Sequence, residues 1–137
     1  MSFVVDTSIA LAWCFEDERT QPIMDLLYRL GQTGALAPLL WPLEALNGLS
    51  MAQRRRRIHG RQRAELADFL RELPITLDTE TIEHAWTTTA ELAERHRLST
   101  YDASYLELAM RRKLPLATLD KDLIKAAKAS GTIVLGT

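Results

Sequence analysis

Along the 137-residue chain, short unbroken apolar runs alternate with longer stretches in which apolar residues return every three or four positions. The first texture is that of strands buried on both faces, the second that of amphipathic helices. Phe3-Val4-Val5-Asp6 reads as a buried strand, and Thr7-Ser8 as the cap of a helix carrying Ile9, Leu11, Ala12 and Trp13. A second helix is expected from about Thr20 to Leu30, with Ile23, Met24, Leu26, Leu27 and Leu30 on one face and Gly31 and Gly34 beyond it as stop signals. Leu36-Ala37-Pro38 follows as a short strand. Trp41-Pro42 opens a helix with proline in the favoured first turn; it carries Glu44, Leu46, Leu49 and Met51 and closes at the arginine run 54–57.

After a turn at His59-Gly60, Leu66, Phe69, Leu70 and Leu73 mark another helix, ended by Pro74, and Ile75-Thr76-Leu77 reads as a strand. Thr79 or Thr81 is expected to start a helix through Ile82, Ala85, Trp86, Ala90 and Leu92, and Ser99 to precede one from Thr100 to about Arg112. Leu114 to Thr118 reads as a strand, Asp120 to Ala129 as a helix and Thr132 to Leu135 as a last strand. Strands alternating with helices predict an α/β fold of three layers, α/β/α, around a central, mainly parallel sheet of four to five strands. No repeat or linker divides the chain, so residues 1–137 are expected to form a single domain.

Composition narrows the class without naming a function. Hydrophobic residues at 47% and charged residues at 26% are those of an ordinary globular chain. No apolar run approaches the ~18 residues of a membrane span, and Asp6 interrupts the N-terminal apolar stretch before a secretory signal develops. A cytoplasmic location is the expectation. Cys14 is the only cysteine, which excludes an intrachain disulfide and argues against a cysteine zinc site. Net charge is −1, but it is unevenly spread: residues 1–50 hold six acids and two bases, whereas residues 51–71 hold seven arginines and two acids. Surfaces attracting metal and phosphate are thereby expected in one molecule.

Four acids stand where chemistry gathers in such folds, outside the carboxyl ends of the strands. Asp6 ends the first strand, Asp120 follows the strand 114–118, and Glu44 and Asp102 each lie in the first turn of a helix. Each also has a local reading: a turn residue for Asp6, a helix-dipole partner for Glu44, a capping-box member for Asp102 and an N-cap for Asp120. Asp102 fits its local reading least. Tyr105, Leu106 and Ala109, at i+3, i+4 and i+7, put it on the stripe facing the sheet, and no basic residue lies nearby in sequence. Two carboxylates about 5 Å apart repel by roughly 3 kcal/mol at an effective dielectric near 20. Four converging acids therefore call for protonation or a divalent cation, and an all-oxygen set favours Mg²⁺, with Mn²⁺ as the alternative.

Val4-Val5-Asp6-Thr7-Ser8, the stretch Pro42 to Asn47, Tyr101-Asp102-Ala103-Ser104-Tyr105-Leu106-Glu107-Leu108-Ala109, and Leu116-Ala117-Thr118-Leu119-Asp120 resemble the successive acidic motifs of PIN-domain ribonucleases. The chain is most similar to the VapC-type toxins of type II toxin–antitoxin systems, over essentially its whole length. The resemblance implies a metal-dependent endoribonuclease, homodimerisation and a cognate VapB-like antitoxin that masks the site. Carried over by position, Asp6, Glu44, Asp102 and Asp120 are the catalytic and metal-binding acids. Thr118, Ser8 and Asn47 are candidates for the neutral groups that orient them. Arg54, Arg55, Arg56 and Arg57 form a run richer than the family's pattern; it reads equally as an RNA-phosphate contact and as a solvated helix end.

His59, His84 and His96 show no metal-ligand spacing, and Cys14 reads as a small buried hydrophobe. Trp41 and Trp86 read as core, as do Trp13 and Phe15, for which a groove for an antitoxin helix is the alternative. Two competing functions stand beside the nuclease. One is a catalytically silent PIN-like module that binds RNA or protein, against which the gathered acids argue. The other is a phosphotransferase with Asp6 as nucleophile; haloacid-dehalogenase-like enzymes of that kind carry a second Asp two places on, where this chain has Ser8, and no Gly-rich phosphate loop is present.

Overall fold

Val4 and Val5 are wholly buried, and their backbone explains why. The computed structural model, which describes residues 1–137, places this strand, β1 (Val4–Val5), at the centre of a five-stranded sheet. The order is β3-β2-β1-β4-β5, with β2 Ala35–Pro38, β3 Ile75–Asp78, β4 Leu116–Ala117 and β5 Val134–Leu135, and every pair is parallel. Parallel neighbours need crossovers, supplied by α1 (Thr7–Cys14), α2 (Gln21–Thr33), α3 (Trp41–Arg54), α4 (Gly60–Arg71), α5 (Ala90–His96), α6 (Thr100–Arg112) and α7 (Lys121–Ala129). Right-handed crossovers put α1 to α4 on one face and α5 to α7 on the other. Packing follows that division: α1 meets α2 and α3, α3 meets α4, and α6 meets α5 and α7. The result is the three-layer α/β/α architecture expected, with one core of buried apolar side chains running through it.

The chain steps outward from β1 to β2 and β3, then returns to the other side of β1 to form β4 and β5. The reversal makes a crevice at the carboxyl ends of β1 and β4, the place where such sheets bind ligands. Val4 pairs with Leu116 and Val5 with Ala117, so Asp6 and Thr118 leave the sheet side by side.

Several boundaries differ from the sequence expectation. The last two strands begin later than their apolar runs because the first residue of each run closes the preceding helix: Leu114 N–H bonds to Ala109 O, and Thr132 N–H to Ala127 O. Helix α2 runs through Gly31 to Thr33 and stops at Gly34, whose φ of 67° lies in the region glycine tolerates best. His59 does more than turn the chain. Its ring accepts from Gln62 N–H while the Gln62 side chain accepts from His59 N–H, a reciprocal cap on α4.

The helix expected from Thr79 or Thr81 does not form there. Thr81 is held at the strand end, donating to the Asp78 carboxylate at 2.9 Å and accepting from Leu39 N–H at 3.0 Å. Residues 79–84 are turns, a π-type turn follows over Ala85–Thr89, and α5 starts only at Ala90. Ile82 and Trp86 have helical spacing but face solvent: Ile82 is exposed, and Trp86, expected in the core, is 89% exposed. Trp41, Trp13 and Phe15 are buried as expected. No helix is long and apolar enough to cross a membrane.

Candidate functional site

Asp6 is the N-cap of α1 and 5% exposed, and its carboxylate is held from three sides. Thr7 N–H donates to Oδ1 at 2.7 Å; the hydroxyls of Thr118 and Ser8 donate to Oδ2 at 2.7 and 2.9 Å. No basic group pairs with it. Burial raises its pKa and outweighs these three hydrogen bonds, and the Asp120 charge adds to the rise.

Asp120 arrives on the neighbouring path. It caps α7, accepting from Leu123 N–H at 2.9 Å, and its own N–H donates to Thr118 Oγ1 at 3.1 Å. Thr118, wholly buried, thus donates to one acid and fixes the backbone of another. Ser8 acts alike, donating to Asp6 and accepting from Leu119 N–H at 3.0 Å. The local N-cap reading of Asp120 is correct and leaves one of its carboxylate oxygens without a partner.

Asp102 is half-buried in the first turn of α6, below the wholly buried Tyr105 and Leu106. Ser99 caps this helix by accepting from Asp102 N–H at 3.0 Å. The Asp102 carboxyl is pushed up to about 6, by burial first and then by the charges of Asp6, Asp120 and Asp122. Glu44, in the first turn of α3, also has a raised pKa: burial leads, a hydrogen bond from Tyr105 opposes it, and Asp6 and Asp102 repel. The structure therefore brings Asp6, Glu44, Asp102 and Asp120 close enough to feel one another's charge, together with Ser8 and Thr118. Asn47 is exposed and makes no hydrogen bond to the group.

Three residues outside the sequence-level set belong to this geometry. The Tyr105 hydroxyl donates to Glu44 Oε1 at 2.7 Å and lies 3.0 Å from Thr7 Oγ1. Its position one turn after Asp102 was the available signal. Asp122, exposed, adds a fifth negative charge, signalled only by its spacing from Asp120.

The only three potential ligand groups lying within 4.8 Å of one another are elsewhere: Glu80, Glu83 and His84, which the scattered spacing of the histidines did not suggest. Both glutamates are exposed, and Glu80 already pairs with Arg111 at 3.4 Å. The rim acids are more widely set than that triplet. None of the ion pairs in the molecule involves Asp6, Glu44, Asp102 or Asp120. An oxygen-only donor set, partly buried and without counter-charge, fits a hard divalent cation that keeps much of its water.

The four arginines separate. Arg54, Arg55 and Arg56 are exposed without ion pairs, whereas Arg57 bonds Asp17 at 2.8 Å and Glu18 at 2.9 Å and lies over the Phe15 ring at 4.1 Å. Cys14 is buried, and burial pushes its thiol up to about 11, so it is a poor nucleophile.

The family model of the PIN domain matches residues 3–129. No curated protein sequence is significantly similar to the chain. Among solved structures, PAE2754 from Pyrobaculum aerophilum superposes with a TM-score of 0.71 at 21% identity, over 98% of this chain and 83% of that one. VapBC2 from Rickettsia felis, solved with a DNA fragment from its promoter, gives 0.66 at 17% identity over 98% and 97%. VapC20 from Mycobacterium tuberculosis, described as a sarcin-ricin loop cleaving toxin, gives 0.61 at 19% identity over 96% of each chain. At these identities the likeness is one of fold.

Proposed function

Because the chain belongs to the PIN-domain family, we propose that it is a divalent-metal-dependent endoribonuclease and the toxin of a toxin–antitoxin pair. The observation that carries the reading is electrostatic. Asp6, Glu44 and Asp102 all hold their protons more tightly than free carboxyls, and each does so partly because of other acids in the set. A fold that only needed capped helices would not assemble these charges on one crevice without a base.

In this reading Asp6 and Asp102 hold Mg²⁺ or Mn²⁺ directly or through water, and Glu44 and Asp120 complete the set. When bound, the ion neutralises the acids, makes a nearby water more acidic and offsets the charge that builds on the scissile phosphate. The chain's own contribution is orientation and proton handling. Thr118, Ser8 and Thr7 N–H fix both oxygens of Asp6, so its carboxylate cannot rotate away from the crevice. Tyr105 fixes one oxygen of Glu44 and leaves the other to orient a water or take its proton. Asp120, with one oxygen committed to its helix, serves the same purpose from the opposite wall. The three donors on Asp6 also weaken it as an attacking nucleophile, which speaks against the aspartyl-phosphate route.

A cognate VapB-like antitoxin and a homodimer are part of the proposal. VapBC2 and VapC20, named for that class of toxin, support the partner by their fold. The test is incubation of purified protein with total RNA, with Mg²⁺, with Mn²⁺ and with chelator. Metal-dependent cleavage lost in Asp6→Asn and in Asp102→Asn is expected. Cleavage near wild type in either variant, or no cleavage with any divalent ion, overturns the reading.

A further inference from the structure

Helix α3 ends in a tight reversal that spreads its arginines apart. Arg56 adopts φ 62°, Arg56 N–H bonds to Gln53 O at 3.0 Å, and Arg57 N–H bonds to Ala52 O at 2.9 Å. These are the paired bonds of a Schellman motif, with Arg56 in the left-handed position. Arg55, the last residue before the reversal, and Arg57, the first after it, both border one groove of about 390 Å³. The same groove is bordered by Ser8 and Asp120, two members of the acidic crevice, and by Glu18, which Arg57 neutralises. Gly48 also lines it; a Cβ there would run into the Leu11 side chain, so α1 and α3 are in close contact at this groove. Arg56 borders a different hollow, with His59 and Gln62.

We propose that this groove carries the RNA strand away from the acidic crevice and that Arg55 grips a backbone phosphate in it, while Arg57 is a strut of the wall. The inference rests on the ribonuclease reading for the identity of its occupant. Arg57 is spent on Asp17, Glu18 and the face of Phe15. Arg55 has no ion pair, and its planar guanidinium matches a phosphate in two-point contact. A strand approaching several negative side chains needs a cation at the margin to hold it, and Arg55 is the free cation whose groove is continuous with Asp120. The run 54–57 thus divides by role: Arg55 as contact, Arg57 as strut, Arg56 beside a different hollow, and Arg54 exposed against the Met51 sulfur.

The test follows binding of a short single-stranded RNA to the full chain by fluorescence anisotropy over a salt series, without divalent ions. Arg55→Ala is expected to shallow the log–log salt slope by about 0.7, the share of one single-strand phosphate, at unchanged Tm; Arg55→Lys keeps most of the slope. Arg57→Gln is expected to lower Tm and leave the slope. A wild-type slope in Arg55→Ala, a slope lost only in Arg57→Gln, or no RNA binding by the wild type overturns the proposal. Mg²⁺-dependent cleavage with an unaltered Arg55→Ala slope sinks this assignment alone. The expected slope change without cleavage under any divalent ion sinks the nuclease reading and leaves the groove.

Discussion

Tyr105 donates a hydrogen bond to Glu44 Oε1 at 2.7 Å, joining helices on opposite faces of the sheet. The same hydroxyl lies 3.0 Å from Thr7 Oγ1, next to the Asp6 cap. One phenol therefore ties α6, which bears Asp102, to the two elements bearing Glu44 and Asp6. Burial, followed by the Glu44 charge, pushes the Tyr105 pKa far up, so it stays protonated and always has a proton to give.

Tyr105→Phe keeps the ring and removes that tether. Loss of a partner that orients a metal-binding carboxylate typically costs 10–100-fold in metal affinity or activity. The expected outcome is a Mg²⁺ requirement shifted upward by roughly tenfold or more, with excess Mg²⁺ restoring part of the rate and stability falling by about 1 kcal/mol. Mg²⁺ titrations of cleavage check it. A drop in Tm with an unaltered Mg²⁺ dependence would assign Tyr105 to packing alone.

Stability of the metal-free protein should fall as pH rises through the acid range. Asp102 is raised from 3.8 to about 6, and Asp6 and Glu44 shift the same way. A carboxyl with a raised folded pKa binds its proton better folded than unfolded, so its favourable share is full below about 4, is lost as pH climbs to about 6, and is absent at neutrality. A divalent ion should reverse the trend by binding the ionised folded form. Denaturant melts at pH 4.5 and pH 7 (roughly the two sides of this window), with and without Mg²⁺, check this; Mg²⁺ should stabilise at the higher pH and do little at the lower.

The alternation of apolar textures was enough to read the layers, because strands buried on both faces and helices buried on one leave different patterns. The acids were legible for a related reason: each directly follows a strand or opens a helix at the crevice edge. What escaped reading depended on partners distant in sequence. Trp86 obeys helical spacing yet stands in solvent, since Thr81 is anchored to Asp78 and Leu39 and delays the helix. Tyr105 looked like core until Glu44 was seen beside it. The ends of α3, α5 and α6 lacked a glycine signal because Arg56, Arg97 and Lys113 take the left-handed positions. A cation there suits the negative end of a helix, which offsets part of the backbone strain.

Arg56→Gly tests that compromise. Glycine takes φ 62° without the Cβ penalty, and Arg56 has no ion pair to lose. Stability should rise by about 0.5–1 kcal/mol, or roughly 2–4 °C in Tm. A melt showing destabilisation would mean that the arginine's charge at the helix end outweighs its backbone cost.

Arg111 holds the most consequential ion pairs, none of them with an acid of the crevice. Its Nη2 meets Asp78 Oδ2 at 2.6 Å and its Nε meets Glu107 Oε2 at 2.8 Å, and both acids have side chains only 4% exposed. Burial alone would raise the Asp78 pKa; bonds from Arg111, with help from Thr81 and Glu80 N–H, hold it below the ordinary value instead. Arg111→Met would leave two buried carboxylates without a counter-charge, a change that costs about 3–5 kcal/mol when such a pair is broken. The loss should be largest near neutrality. In the wild type the Asp78 share is present above the ordinary carboxyl range and disappears as pH falls through its depressed pKa, so acidification should narrow the gap between the two proteins. Urea melts across pH check this. A variant within about 1 kcal/mol of wild type at neutral pH would show that the network behaves like a solvent-screened surface cluster.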